Sequence, residues 1–327
     1  MVEIDRIWAD NQQKADYESK VDALTAIRKE QTADISIIEN PAKDLEVRIY
    51  WAADCSTTLT DCTTSCTLGG VEPEALCQDL SLDLCKEAGF SLTENRFRAS
   101  NLSREIVVAK AMAKRMRELD EWLVQQLISK LNAFAGTNQF EGIADVDSDG
   151  TWIAASYWNV DLYGYFSQVA IMNRLNDPFM LHGGNLFQVY WQAQMNNLNT
   201  NNKDQLAKLQ SLRSYWDMFN VDSVNSPDKV SYMISKGAVA FANKAHYPLN
   251  APVQYFDDQR WSIESKALPG VYYDVYYNNQ CIAGSTTKDV KHNWTLTVKA
   301  GIFKNPVGCN DDITGIIKFL CGTNADS

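Results

Sequence analysis

Residues 103–136 read Ser-Arg-Glu-Ile-Val-Val-Ala-Lys-Ala-Met-Ala-Lys-Arg-Met-Arg-Glu-Leu-Asp-Glu-Trp-Leu-Val-Gln-Gln-Leu-Ile-Ser-Lys-Leu-Asn-Ala-Phe-Ala-Gly. Met112, Met116, Leu119, Leu123, Leu127, Leu131 and Phe134 recur at steps of three and four, which draws one apolar stripe along a helix. Lys110, Lys114, Arg117, Glu118, Glu121, Gln125 and Lys130 fall mostly off that stripe. Ser103 is placed to cap the N-terminus, Glu105 suits the positive end of the dipole, and Gly136 sits where a left-handed C-cap belongs. The helix predicted from Arg104 to Ala135 is about 32 residues and roughly 48 Å long at 1.5 Å per residue. A helix of that length with one apolar side is a beam for a sheet to lie along.

The rest of the chain is read outward from this beam. Its 327 residues are enough for two subdomains or one elaborate domain. Apolar residues at 45% and charged residues at 22% are ordinary for a folded protein, so neither disorder nor a membrane class is favoured. Nine Trp and fourteen Tyr imply a large core or an extensive contact surface. A net charge of −11 argues against tight, salt-sensitive nucleic-acid binding, which needs clustered Lys and Arg, while leaving loose enclosure open. No run of about 18 apolar residues is present. The opening Met-Val-Glu-Ile-Asp-Arg-Ile-Trp lacks a signal-peptide pattern, so a cytoplasmic chain is expected, and eight cysteines are then out of place.

Residues 3–30 read as an acidic amphipathic helix with Ile4, Ile7, Trp8, Val21, Leu24 and Ile27 on one side. With no sheet nearby, it is expected to be an arm packed on a neighbour or a piece of coiled coil, ended by Asn40-Pro41. Residues 45–51 alternate as a strand, and a return strand is expected around 75–84. Between them lies a stretch rich in Ser, Thr, Asp and Gly, which predicts a projecting hairpin without a core of its own. Residues 89–97 lead into the beam. Beyond Gly136, helices are expected at 160–175, 185–196 and 206–219, with 231–242 undecided between strand and helix. From Arg260 onward the pattern turns to strands: Val271, Tyr273, Val275 and Tyr277 alternate with polar or outward residues, as do Trp294, Leu296, Val298 and Ala300. A turn at 305–308 and a last strand at 313–321 close the chain.

Five of the cysteines, Cys55, Cys62, Cys66, Cys77 and Cys85, crowd the hairpin, and Cys281, Cys309 and Cys321 lie among the C-terminal strands. Only Cys62 and Cys66 have the short spacing of a zinc pair, with no second pair or nearby His. Disulfides, within the hairpin or to a neighbour, and plain reduced thiols stand beside zinc as readings. Asp145-Val-Asp-Ser-Asp-Gly150 matches the start of a calcium loop, but the twelfth position is Ser156 where a bidentate Glu belongs, which favours a solvated acidic turn. Phosphate-cradling, dinucleotide-binding and Gly-x-Ser-x-Gly motifs are missing from the sequence. His182, His246 and His292 are far apart and flanked by aromatics or Gly, so each is expected to be structural. Asn101 and Asn293 open glycosylation sequons by pattern only. No catalytic residue, cofactor site or metal site is assigned.

An arm without a core, a projecting hairpin, one very long helix and a mixed body that ends in strands form a distinctive order. Arms and hairpins that cannot bury themselves must be buried by neighbours. This order resembles the major capsid proteins of tailed bacteriophages, the Hong Kong-97-type fold. Leu268-Pro-Gly-Val-Tyr-Tyr-Asp274 and Ala300-Gly-Ile-Phe-Lys-Asn-Pro-Val-Gly308, with Gly315-Ile-Ile-Lys-Phe319, are also similar to local phrases of such coat proteins. The resemblance implies an α+β fold. Its parts would be an N-terminal arm (1–44), an extended loop (45–98), and a peripheral domain (99–154 and 256–300) with its spine helix at 103–135. An axial domain (155–255 and 301–327) would complete it. It further implies a structural protein, not an enzyme, whose copies form pentamers and hexamers around double-stranded DNA. The expected partners are other copies of itself and scaffolding, portal and decoration proteins, with no membrane; the expected location is the virion, assembled in the host cytoplasm. The loop cysteines would then serve cross-linking or contact between subunits. Two rival classes stay open: a cysteine-rich extracellular adhesin, and a metal- or thiol-dependent enzyme.

Overall fold

The computed structural model describes residues 2–10, 21–38, 45–52, 75–94, 103–148, 150–157, 162–183, 212–217, 230–282, 289–306 and 315–321. The helices are α1 (Val2–Ala9), α2 (Asp22–Glu30), α3 (Arg104–Phe134) and α4 (Leu162–Met172). The N-terminal half holds strands β1 (Asp34–Ile37), β2 (Glu46–Ala52), β3 (Ala75–Ser81), β4 (Leu84–Thr93), β5 (Ala144–Val146) and β6 (Thr151–Ile153). Strands β7 (Phe179–His182), β8 (Arg213–Trp216), β9 (Val230–Ile234), β10 (Val239–Asn243) and β11 (Val253–Tyr255) follow. The chain ends in β12 (Asp258–Glu264), β13 (Tyr272–Ile282), β14 (Asp289–Lys304) and β15 (Ile316–Cys321).

The beam forms as the periodicity predicts, as a helix of 31 residues. The Ser103 side chain accepts from the Ile106 amide at 3.3 Å, which satisfies one of the orphan donors of the first turn. Its end differs from expectation. Ala135 leaves the helix with extended ψ, and the Gly136 amide donates to Ile316 O at 2.8 Å. Gly136 therefore bridges to the last strand instead of forming a left-handed cap, because a strand lies close enough to take its donor. The apolar face is also broader than one stripe. Val124 and Ile128 are buried beside Leu123 and Leu127, and α1 and α2 pack on the helix as well as the sheet does.

The described residues form three sheets. The first is β1-β2-β3, antiparallel throughout. The second runs β10-β14-β13-β12-β11, and the 16 residues of β14 serve two partners along one edge: β10 against 300–304 and β4 against 291–300. The third runs β5-β6-β15-β9-β7-β8. Residues 231–242, undecided from sequence, are two strands that carry the chain from the third sheet to the second. Gly237 makes that turn with φ +76, and a Cβ there would stand 2.1 Å from Thr32 Oγ1, so only glycine fits.

Several expectations are corrected. The segment read as an uncovered arm is covered by its own chain: Ala23, Leu24, Ala26 and Ile27 of α2 are buried, and Ile7 of α1 is 1% exposed. An amphipathic pattern reports that a face is covered without reporting by what, and here the cover is α3, β8 and β10. The hairpin is not without a core either. Val47, Ile49 and Trp51 bury one face of β2 against Leu82, Ala240 and Ala242. Residues 84–93 are not a mere lead-in but a ten-residue strand on β14. Residues 213–216, read within a helix at 206–219, are a strand parallel to β7, since Tyr215 packs on Phe179 and Trp216 on His182 across the pair. The helix expected at 185–196 lies outside the described residues.

Candidate functional site

Among the described residues the candidate side chains lie in several separate places. Cys77 on β3, Cys85 on β4 and Cys281 on β13 are exposed free thiols, and Cys321 on β15 is half-buried. Cys85 pairs with Lys299 and Cys281 with Val290, so these two stand on opposite edges of β14 and toward its opposite ends. Cys77 belongs to the first sheet, opposite the exposed Tyr50. Cys55, Cys62, Cys66 and Cys309 lie outside the described residues.

The acidic stretch at 145–150 is the turn of the β5–β6 hairpin. Asp147 Oδ1 accepts from the Gly150 amide at 2.9 Å and Oδ2 from Trp152 Nε1 at 3.0 Å. Both carboxylate oxygens thus hold the turn and an indole in place, the work of an Asx-type turn residue. Asp149 lies outside the described residues. Among the described residues no group of three His, Cys, Asp or Glu is placed to hold a metal ion.

Two of the histidines meet acids from distant parts of the chain. His246 Nδ1 sits 2.7 Å from Asp274 Oδ2, and both side chains are buried. Ser262 Oγ donates to Asp274 Oδ1 at 2.7 Å. The three groups of a nucleophilic triad are therefore present in the wrong order. The serine is bonded to the carboxylate, where a triad needs it on the imidazole. His292 lies 3.4 Å from Glu94 Oε1 through Nε2, while its Nδ1 faces Arg104 Nη2 at 3.0 Å and the Tyr277 hydroxyl at 2.7 Å. The ring lies against both Tyr277 and Trp294, at 6.0 and 5.8 Å, and those two rings stand 5.2 Å from each other. This cluster joins β4, the first turn of α3 and the second sheet. His182 is fully buried in aromatics: Trp216 stacks at 4.5 Å, Tyr163 and Phe166 stand at 6.2 Å, and Ser231 Oγ is 2.9 Å from Nδ1. Burial pushes its pKa down to about 3, so the ring is neutral.

Two polar links were not anticipated because their partners are distant in sequence. Asp120, on the buried face of α3, accepts from Ser265 Oγ at 3.0 Å and from the Tyr273 hydroxyl. It pins the beam to the second sheet at one register. Burial, and then the neighbouring Asp120 charge, hold the Tyr273 hydroxyl well above its usual range, so it stays a donor. The second link clasps α2. Asp217 Oδ2 accepts from the Ala23 amide at 3.1 Å, while Glu30, 3% exposed, takes Arg213 Nη1 at 2.8 Å and the Tyr215 hydroxyl at 2.5 Å. Arg28 reaches across to Pro269 O on the other side. The helix is thus tied to β8 of the third sheet and to the β12–β13 connection of the second. A polar residue on an otherwise apolar helix face, as Asp120 is, was the signal available for the first link.

No protein-family model matches the chain, and no curated protein matches it. Solved structures are similar to it. The Cyanophage A-1(L) capsid asymmetric unit is 12% identical with a TM-score of 0.47, over 94% of this chain and 94% of that one. The capsid structure of the Cyanophage P-SCSP1u is 8% identical with a TM-score of 0.46, over 86% and 84%. The capsid structure of Staphylococcus phage Andhra is 10% identical with a TM-score of 0.43, over 93% and 85%. At these identities the likeness is one of fold, to phage capsid structures with mixed helix and sheet.

Proposed function

We propose that this chain is a structural subunit of a phage head, a major capsid protein whose copies form pentamers and hexamers that close a shell around double-stranded DNA. One arrangement carries the reading. A 31-residue helix lies under a sheet that receives β4 directly from a hairpin, and the C-terminal strand returns into the middle of a second body. This is the element order that the Hong Kong-97-type resemblance implies. On this reading residues 1–44 are the arm and 45–98 the extended loop, whose exit strand is woven into the peripheral sheet. The peripheral domain takes 99–154 and 256–300, and the axial domain takes 155–255 and 301–327. Arm helix α2, clasped to both sheets, then fixes the angle between those two domains inside each subunit. What remains for neighbours is the outward face of the β2–β3 hairpin, the edges of β4 and β11 that no other described strand pairs, and the exposed thiols of Cys77 and Cys85, with Cys55, Cys62 and Cys66 ahead of them in the sequence. Scaffolding, portal and decoration proteins would be further partners.

An acidic subunit suits an inner wall past which DNA must slide, since strong basic contacts would hold it. The role is structural and asks for no catalytic group. Sedimentation velocity and negative-stain imaging of the full-length chain test it. Rings of five or six copies, or closed shells, are expected, and a chain that stays monomeric up to its solubility limit sinks the reading.

A further inference from the structure

The geometry points to His292 as a proton-operated latch at the start of α3. With the ring neutral, Arg104 ties the first turn of the helix to β14; with a proton on Nδ1, Arg104 is released and the ring turns to Glu94 at the exit of β4. This goes beyond the shell-subunit reading and does not rest on it.

The hydrogen bonds fix where the proton sits. Arg104, the first residue of α3, brings Nη2 to 3.0 Å from Nδ1 of the ring. A guanidinium offers donors and no acceptor, so Nδ1 presents its lone pair and the neutral ring carries its hydrogen on Nε2. That N–H faces Glu94 Oε1 at 3.4 Å, a long contact, and Arg104 Nη1 stands 3.8 Å from the same oxygen. The Tyr277 hydroxyl, 2.7 Å from Nδ1, shares the lone pair, and a hydroxyl can donate or accept. Glu94, Arg104 and Tyr277 are the charged or titratable groups that meet the ring from β4, α3 and β13. Its register partners Leu92 and Asn279 carry no charge, and Lys291 beside it on β14 points to the other face.

A proton bound at Nδ1 changes these partners unequally. The new N–H donates to the Tyr277 hydroxyl, which turns from donor to acceptor. Arg104 has no lone pair with which to make the same exchange, and it now faces a like charge. The charged ring also strengthens its bond to Glu94, the carboxylate for which Arg104 competes. Arg104 thus loses both contacts, and its side chain, already 44% exposed, passes into water at little cost. The site tolerates the charged ring: a carboxylate stands at one nitrogen, a hydroxyl at the other, and the Tyr277 and Trp294 rings lie within about 6 Å. Glu94, 35% exposed, connects the buried ring to solvent. His182 is built otherwise. Its Nε2 has no hydrogen-bond partner and aromatic rings surround it, so a proton there opposes the fold without exchanging one contact for another. The latch therefore decides whether the start of the helix is held to the sheet or only to its own cap.

The test uses the full-length chain. The His292 ring proton is followed by NMR, assigned by its loss in His292→Gln, and amide hydrogen exchange is followed by mass spectrometry. From about pH 7.5 to about pH 5.5, exchange across 104–110, corrected for the intrinsic rate, should rise on the order of fivefold or more as the His292 signal titrates. Residues 128–134 at the other end of the helix should not change. His292→Gln keeps an acceptor for Arg104 and cannot take a proton, so its exchange across 104–110 should stay flat with pH. Arg104→Leu should move the His292 titration to higher pH, since the group competing for Nδ1 is gone. Exchange at 104–110 that ignores the His292 titration in the parent chain overturns the latch, and this comparison needs no variant. The same rise in His292→Gln, or a His292 titration unmoved in Arg104→Leu, overturns it too.

Discussion

Helices α3 and α4 are held on the second and third sheets by different means. Against the second sheet, carboxylates do the fixing: Asp120 takes two hydroxyl donors between α3 and the sheet, and Asp274 takes Ser262 and faces His246. In the third sheet, rings do it. Phe166 and Phe319 stand 4.7 Å apart, Tyr165 and Tyr163 adjoin them, and the only imidazole of that core is held neutral. A directional acceptor fixes the register of a long helix that could otherwise slide by a turn, whereas aromatic packing fills volume without choosing one register so sharply. The consequence is that the two regions should fail differently, the one to loss of an acceptor and the other to acid.

The largest effect expected is at Asp120. Asp120→Ala strands the Ser265 and Tyr273 hydroxyls in a dry interface and should cost about 3–5 kcal/mol of stability in urea unfolding of the unassembled chain. Removing only a hydroxyl from a comparably buried ring, as in Tyr163→Phe in the third sheet, should cost less than about 1 kcal/mol, because the ring keeps its packing. If the two substitutions cost the same, the contrast between pinning and packing is broken.

Acid should reverse the ranking. His182 is neutral in the fold with a pKa of about 3, while an unfolded histidine takes its proton near 6.5. Between those values the unfolded state binds more protons, so stability rises with pH and falls as pH drops from about 6.5 toward 3. The slope approaches about 1.4 kcal/mol per pH unit, or roughly 2 kcal/mol between pH 6.5 and 5. His182→Phe should flatten that slope whatever it does to stability at pH 7.5. An unchanged slope in the variant would show that the acid response lies elsewhere.

The parts of this molecule that could be read in advance are those whose signal is local. The steps of three and four from Met112 to Leu131 gave the beam to within a residue, and alternation placed β13 and β14. The strand β4 carried a signal too, with Leu84, Ala88, Phe90 and Leu92 on one face. It was masked by Gly89 and by the nearness of the helix. What stayed hidden is pairing at a distance. Asp274 meets His246 across 28 residues and Glu94 meets His292 across 198, and no spacing rule reaches that far. The burial of α2 was hidden for the same reason, since its clasp by Asp217 and Arg213 joins residues nearly two hundred positions apart. The left-handed turn at Phe256 was hidden because it lacks the glycine or asparagine that announces one.

The smallest effect expected sharpens the contrast within α3 itself, between what its face does and what its end does. Ser103 caps the helix through one bond of 3.3 Å at an exposed first turn. Ser103→Ala should therefore lower stability by only about 0.5–1 kcal/mol in the same urea assay, at the low end for an N-cap. The half-buried Arg117–Glu121 pair, about four turns further on, contributes less still, since its basic residue precedes its acidic one, against the helix dipole. A helix whose buried face holds Leu119, Leu123, Leu127 and Leu131 at 2% exposure or less does not depend on its cap to stay helical. Were Ser103→Ala to cost as much as Asp120→Ala, the end of the helix would matter to its stability as much as its buried face. A cost several-fold smaller means that the buried face carries the helix, with Asp120 choosing the register in which it meets the sheet.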